Sequence, residues 1–171
     1  MTDGGYRPAY NVQFATDVEG RAIVGVAVTN GREQAELVPM LEQVQQRTGR
    51  TPGALLVDGG YVSTEGIDGV ALREVPLYAP VPEGQHAPGS GKTPPSPAVA
   101  AWRARMASED GKAQYRVRSA TAERVNADAK THRALGVIPV RGLAKVHLWA
   151  LWTALAINLL RVMEIVPHPM T

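Results

Sequence analysis

The sequence predicts an α/β domain in which helices surround a mixed β-sheet. Three observations lead to this fold class: two β-type segments joined by a turn over residues 10–29, a short apolar run at 54–57 that ends in Asp-Gly-Gly, and helical periodicity over most of the chain after residue 97. The chain has 171 residues and no internal repeat, which fits one domain over residues 1–171.

The N-terminal elements are predicted to be a hairpin and a helix. Residues 10–16 alternate imperfectly and predict a strand, while residues 22–29 are nearly all apolar and predict a second strand that is covered on both faces. Residues 17–20 form the turn between them. Residues 33–48 have apolar positions at helical spacing and are followed by Gly49, so they predict a helix.

Residues 54–57 predict a fully buried strand with Asp58 at its end. Ligand groups tend to sit at the carboxyl ends of strands in open α/β sheets, but an Asp-Gly pair also starts turns. The residues themselves leave both interpretations of Asp58 open. A helix at 62–73, with Ser63 or Thr64 as its N-cap, and a proline-containing edge strand at 75–81 are predicted to follow.

The rest of the chain predicts an insertion followed by helices. Residues 82–97 contain almost no large apolar residue and predict a mobile Pro/Gly-rich insertion. Helices are predicted at 97–106, 113–133 and 142–166. The face of the last helix that should pack on the sheet consists of Val146, Trp149, Thr153, Ala156, Leu160 and Met163, and both Trp149 and Trp152 are expected in the core.

Composition and charge narrow the possible functions. The chain has no cysteine, so disulfides and thiolate metal sites are excluded, whereas oxygen-ligand metal sites remain open. We expect a cytoplasmic protein with no membrane span, because the N-terminus does not resemble a signal peptide and polar residues interrupt the apolar stretch 143–166. Residues 102–147 carry ten Lys/Arg against four Asp/Glu, which favours a polyanionic partner.

A second candidate site lies in the helix predicted at 113–133. At about 100° per residue, positions seven apart nearly align, so Arg116, Glu123 and Lys130 form one stripe. Such a stripe is ordinarily a solvated surface. It is also the arrangement of a metal-binding carboxylate with phosphate-holding cations beside it, because Mg²⁺ is typically held by one or two carboxylates plus phosphate oxygens.

Four sequence blocks then occur in one order along the chain. They are 9–17 (Ala-Tyr-Asn-Val-Gln-Phe-Ala-Thr-Asp), 56–61 (Leu-Val-Asp-Gly-Gly-Tyr), Tyr115-x2-Arg118-x4-Glu123-x6-Lys130, and 140–146 (Val-Arg-Gly-Leu-Ala-Lys-Val) with 154–159 (Ala-Leu-Ala-Ile-Asn-Leu). Together they resemble the catalytic domain of bacterial insertion-sequence transposases of the DDE class. The resemblance spans nearly the whole chain outside the predicted insertion.

The resemblance implies a ribonuclease-H-like fold and DNA transposition. Asp58 would be the second acidic metal ligand and Glu123 the third, while Tyr115, Arg118 and Lys130 would belong to the signature that holds DNA. Divalent ions, Mg²⁺ or Mn²⁺, would activate water or a DNA 3′-hydroxyl for attack on a phosphodiester. The implied partner is DNA, both at the insertion-sequence ends and at the target.

The chain departs from the family pattern at its N-terminus. The family carries its first aspartate on a strand before the Tyr10 strand, but only nine residues precede Tyr10, and Asp3 lies in a Gly-rich lead-in. Asp17 lies at the hairpin tip, about 20 Å from the expected active edge at about 3.3 Å per residue, so it is interpreted as a turn residue. We expect an N-terminally truncated domain that lacks its first strand and has little or no activity alone. A homodimer and a separate N-terminal transposase segment remain open as partners.

Three other functions remain open. A catalytically inactive remnant would bind DNA through Arg116, Arg118, Arg124 and Lys130 without cutting it. A ribonuclease-type nuclease would use the same metal chemistry. Gly59-Gly60 before a helix could cradle a metabolite phosphate, although neither a Walker pattern nor a Gly-x-Gly-x-x-Gly motif follows the strand.

Overall fold

The fold is described from a computed structural model of the chain, which covers residues 10–31, 33–82, 88–89, 94–132, 135 and 137–165. The elements in chain order are β1 (Asn11–Thr16), β2 (Ile23–Thr29), α1 (Leu37–Thr48), β3 (Leu55–Leu56), α2 (Thr64–Ala71), β4 (Leu77–Tyr78), α3 (Pro97–Ala107), α4 (Glu109–Arg118), α5 (Arg124–His132) and α6 (Leu143–Ile165). Short 3₁₀ turns cover Glu33–Glu36 and Gly59–Tyr61, and a π-helical turn covers Ser119–Glu123. The class is α/β, as predicted.

β1 and β2 form the predicted antiparallel hairpin. Asn11 pairs with Thr29 at the open end, and the register becomes irregular between Ala15 and Thr16 next to the turn. In the turn, the Asp17 carboxylate accepts a hydrogen bond from the Gly20 N–H at 2.5 Å. Asp17 is therefore a turn residue, as the sequence predicted.

β3 and β4 form a separate parallel pair with α2 between them in sequence. Both strands are shorter than predicted, two residues each, because Pro76 and Pro80 lack the N–H that would extend the β4 ladder. β3 is half-buried rather than fully buried. α2 begins with the predicted cap, in which the Ser63 hydroxyl accepts from the Gly66 N–H at 3.0 Å.

The single mixed sheet predicted from the sequence is wrong for the described residues. They contain two two-stranded sheets, β1–β2 and β3–β4, and no described strand bridges them. The ribonuclease-H-like arrangement with an absent first strand therefore stays a prediction. Most of the insertion predicted at 82–97 lies outside the described residues, although Pro88 is buried and a Cβ on Gly89 would meet Val99 of α3 at 2.9 Å.

Two hydrophobic cores correspond to the two sheets. The first core surrounds β4 and contains Leu37, Leu41, Val62, Ile67, Val70, Val75, Leu77, Ala79, Val99 and Trp102. The second core lies between the hairpin and the C-terminal helices and contains Ile23, Val26, Val125, Ala129, Ala150, Ala154 and Ile157.

α1 is shared between the two cores. Its Leu41 is fully buried in the first core, whereas Gln43 faces the hairpin and accepts a hydrogen bond from the Val26 N–H at 2.6 Å. Met40 lies so close to β2 that a Cβ on Gly25 would meet its sulfur at 2.5 Å. Pro39 is tolerated because it lies in the first turn of the helix.

α6 packs on the hairpin through a face that shares Val146 and Thr153 with the predicted one but is otherwise different. Its buried residues are Val146, Ala150, Thr153, Ala154 and Ile157, whereas Leu160 and Met163 are exposed. The expectation that Trp152 lies in the core is also wrong, because this side chain is 61% exposed. The physical reason is that Asn158 fixes the rotation of the helix: its amide accepts from the Ile23 N–H at 2.7 Å and donates to the Ile23 carbonyl at 2.8 Å.

α6 is also the one helix of the described residues that has the length and apolar composition to cross a membrane. Core helices of soluble proteins meet the same criterion, and α6 has one face packed on β2. The packing supports the interpretation as a core helix on that face.

Candidate functional site

Asp58 lies in the turn that follows β3. The Val57 N–H donates to the Tyr78 carbonyl at 3.0 Å, which extends the β3–β4 ladder up to the residue before Asp58. Asp58 then caps the 3₁₀ turn, because its Oδ1 accepts from the Gly59 N–H at 2.6 Å. The other oxygen, Oδ2, faces Arg118 at 3.3 Å, on a side chain that is 60% exposed. Asp58 therefore starts a turn and also presents a carboxylate at the end of β3, so the two interpretations do not exclude each other.

Glu123 lies at the end of the π-helical turn that joins α4 to α5. π-turns are rare and occur often at functional sites. The turn is anchored by Thr121, which is buried and donates its hydroxyl to the Val117 carbonyl at 3.2 Å. Because residues i and i+5 come close to alignment in a π-helix, Glu123 lies on the side of Arg118; in a regular α-helix the two would be about 140° apart.

Arg118 joins the two parts of the site. Its Nη2 lies 3.3 Å from Asp58 Oδ2, so a cation on the α4 helix pairs with the carboxylate after β3, 60 residues earlier in the chain. Tyr115 lies one turn before Arg118 on the same side of α4. The spacing Tyr115-x2-Arg118-x4-Glu123 thus becomes one face, made by one α-helical turn and one π-helical turn.

The Tyr115 hydroxyl responds electrostatically to both candidate acids. Burial raises the pKa of Tyr115, and the charge of Arg118 and its hydrogen bond oppose this rise. The negative charges of Asp58 and Glu123 each raise the pKa further. Two carboxylates far apart in sequence therefore both contribute to the electrostatics of this hydroxyl group.

Glu33 is a third acid beside this site, and the sequence analysis did not select it. Burial and then the charges of Glu33 and Asp58 raise the pKa of Tyr61 to about 12. Glu33 also accepts a hydrogen bond from the Asn11 amide, and a Cβ on Gly60 would meet its Oε2 at 3.0 Å. The available signal was its position just after β2, at the edge of the hairpin that carries Asn11.

The two remaining predicted DNA-binding residues lie on the same run of helix. Arg116 is exposed on α4 and Lys130 is exposed on α5. The predicted stripe of Arg116, Glu123 and Lys130 assumed a regular α-helix, whereas a π-turn lies between Arg116 and Glu123 and changes their angular separation. Glu123 and Lys130 remain aligned, since regular α-helix separates them.

The site supplies the right donor atoms for a hard divalent ion but too few of them. Carboxylate oxygens suit Mg²⁺ or Mn²⁺. However, the described part of the chain contains no group of three or more His, Cys, Asp or Glu side chains placed to hold a metal ion. Asp58 is also paired with Arg118. The described residues therefore do not form a complete metal site by themselves.

Comparison with known proteins identifies the class. Residues 93–163 match the family described as the transposase DDE domain, and this segment contains Tyr115, Arg118, Glu123 and Lys130. Over this segment, the match confirms the resemblance to DDE-class transposases that the sequence blocks indicated. The matched segment is less than half of the chain and does not include Asp58. The chain matches no curated protein and no solved structure.

Proposed function

We propose that this chain acts on DNA as part of a transposase catalytic domain, in phosphodiester cleavage and strand transfer at insertion-sequence ends. Asp58 and Glu123 are the acids that it contributes. The observation that carries this proposal is the ion pair at 3.3 Å between Arg118 Nη2 and Asp58 Oδ2, because Arg118 lies in the segment that matches the transposase family. The proposal joins a residue inside the matched segment, Glu123, to one outside it.

Arg118 and Tyr115 hold the DNA phosphate in this proposal. The guanidinium group of arginine matches the geometry of phosphate oxygens, and a tyrosine hydroxyl donates to the same oxygens. Arg116 and Lys130 are exposed on α4 and α5 and would contact neighbouring phosphates of the backbone. Because Arg118 pairs with Asp58 in the free chain, an incoming phosphate has to compete with that carboxylate.

Divalent-metal dependence is what the transposase family generally implies. When bound, Mg²⁺ or Mn²⁺ would stabilise the charge that develops at the attacked phosphate. We propose that Asp58 and Glu123 hold the ion only weakly by themselves, since the described residues do not complete a group of three acids around one ion. A further acid, brought by a separate segment, would then be needed for cleavage.

The second candidate function is DNA binding without cleavage. It is favoured by one observation, that Asp58 is neutralised by Arg118 and is not part of a larger metal-holding acid group within the described residues. Arg116, Arg118, Arg124 and Lys130 would then bind phosphate as a basic surface. This function predicts DNA binding that does not require divalent metal.

The decisive experiment measures DNA binding and cleavage by the purified chain. Duplexes are taken from both flanks of its coding sequence and incubated with Mg²⁺ or Mn²⁺, with and without the translated segment upstream. We expect binding in all cases and cleavage only when the upstream segment is present. Asp58→Asn and Glu123→Gln should each abolish cleavage, whereas Asp17→Asn, which changes only the hairpin turn, should retain it.

The outcomes separate the two functions. Cleavage that disappears with either acid supports the transposase role. DNA binding without cleavage under every condition supports the non-cleaving alternative. A chain that binds no DNA contradicts both. Arg118→Ala should lower DNA affinity and reduce the salt slope by about 1, whereas Arg50→Ala, at an exposed position just beyond α1, should leave both unchanged.

A further inference from the structure

The C-terminal helix α6 presents an apolar surface that nothing in the described structure covers. Its members lie at steps of four, three, four and three residues and are each between 46% and 61% exposed. We call this surface the outer stripe, and it consists of Leu148, Trp152, Leu155, Leu159 and Val162. Alternating steps of three and four give a period of about 3.5 residues, which is the spacing of a helix–helix packing seam.

The outer stripe cannot turn toward the core of its own chain. The opposite side of α6 is buried against the hairpin through Ala150 and Ile157, and Asn158 holds it there with two hydrogen bonds to Ile23. Rotating the helix to bury Trp152 would break this packing and expose those residues. The stripe is therefore a fixed, outward-facing surface.

The size of the stripe is sufficient for self-association. From Leu148 to Val162 it is about 21 Å long at 1.5 Å per residue. With its half-exposed side chains it presents roughly 500 Å² of apolar surface, which is large for a single patch on a monomer. Two copies packed together would bury about 1,000 Å² in total, near the lower limit for a specific interface.

We propose that the outer stripe pairs with the same stripe of a second copy of this chain in an antiparallel helix pair. Trp152 then packs against Leu155 of the second copy, and Leu148 packs against Leu159 of the second copy. A two-fold axis makes one surface complementary to itself, so no other partner is required. The antiparallel direction also places the dipoles of the two helices in opposition.

A lipid bilayer is the competing occupant, because α6 meets the length and hydropathy criterion for a membrane span. The inner face disfavours it: Asn158 is bonded to β2, and Lys145 and Arg161 lie within the helix. Insertion of α6 into a bilayer would remove it from the hairpin on which it packs. The experiment below includes this outcome.

The test is the mass of the purified chain in solution across a concentration series. Sedimentation velocity should show a dimer that dissociates on dilution, and Leu155→Glu should weaken association by at least about 30-fold. Leu72→Glu, at a residue that is 84% exposed outside α6, is the matched control and should leave the dimer intact. Circular dichroism should give the same helix content for both variants, because both positions are exposed.

Other results would overturn the proposal. A wild-type chain that stays monomeric at every concentration does so, as does a Leu155→Glu variant that dimerises normally. Wild-type chain that co-sediments with neutral phosphatidylcholine vesicles without self-association would assign the stripe to the bilayer instead.

The antiparallel direction has its own test, because the chain contains no cysteine. Leu148→Cys and Leu159→Cys variants are oxidised separately and as a mixture. We expect disulfide-linked dimers mainly in the mixture, where the thiol introduced into one variant would face the thiol introduced into the other. Efficient cross-linking of each variant with itself would show a parallel pair and contradict the proposed arrangement.

Discussion

The two hydrophobic cores differ in how they present an acid to the candidate site. Beside the first core a short strand ends in a tight turn. Asp58 is fixed there because its side chain accepts a hydrogen bond from the Gly59 N–H. Next to the second core a long run of helix contains a π-turn, and Glu123 is aimed by the extra residue of that turn. The site therefore draws on both regions, and within it Arg118 of α4 pairs with Asp58.

The largest expected effect is on the free energy of unfolding, and it compares one variant in each core. Trp102→Ala in the first core should lower the free energy of unfolding by about 3–5 kcal/mol, because its fully buried ring leaves a cavity. Ile157→Ala in the second core should cost about 2–5 kcal/mol for the same reason. Urea denaturation gives both values, and hydrogen exchange shows which core opens. Equal loss of protection in both cores for either variant would mean that they unfold as one unit.

The next effect concerns high pH and the first core. The pKa of Tyr61 is about 12 in the folded chain and 10.0 in the reference state, so its stabilising contribution is complete below pH 10 and is lost as pH rises through 12. Allowing for its partial exposure, the loss is about 1–2 kcal/mol. Thermal melts between these pH values measure it. Tyr61→Phe should be less sensitive to pH over this interval, and an identical slope in the two proteins would refute the assignment.

A smaller effect concerns the ion pair between Asp58 after β3 and Arg118 on α4. The Asp58–Arg118 pair has a largely exposed carboxylate, so its coupling energy should be only about 0.2–1 kcal/mol. A double-mutant cycle with Asp58→Ala and Arg118→Ala isolates this value from urea denaturation. Added salt should reduce it. A coupling energy of zero at low salt would show that the Asp58–Arg118 pair does not stabilise the fold.

The smallest effect tests whether both acids converge. Asp58→Asn and Glu123→Gln each remove a negative charge that raises the pKa of Tyr115, so each variant should have a lower Tyr115 pKa than the wild-type chain. The pKa of this hydroxyl can be followed by NMR with Tyr115→Phe as the assignment control. Asp17→Asn should leave it unchanged. A response to only one of the two acids would separate Asp58 from Glu123.

Sequence reasoning performed best where the signal was local. The hairpin, the Ser63 cap of α2 and the turn role of Asp17 all follow from residue types within a few positions of each other. The helical segment that contains Tyr115 and Lys130 was also predicted from its own residues. The resemblance to DDE-class transposases, confirmed over residues 93–163, likewise depended on short ordered blocks.

Predictions from the sequence failed where contacts between distant parts of the chain determine the structure. Nothing in Ser-Ala-Thr-Ala marks a π-turn, yet that turn interrupts the regular helix between Arg116 and Glu123. The rotation of α6 is set by Asn158 against Ile23, 135 residues apart, and this exposed Trp152 instead of burying it. Glu33 was missed because only folding brings it beside Gly60.

The sequence by itself determined the α/β class, most element positions, the excess of basic residues in the C-terminal half, and the similarity of one segment to the transposase DDE domain. Only the tertiary structure decided that two sheets and two cores replace one mixed sheet, and that Arg118 meets Asp58. The physical reason is that hydrogen bonding and periodicity act over a few residues, whereas the direction of a side chain toward a remote partner depends on how whole elements pack.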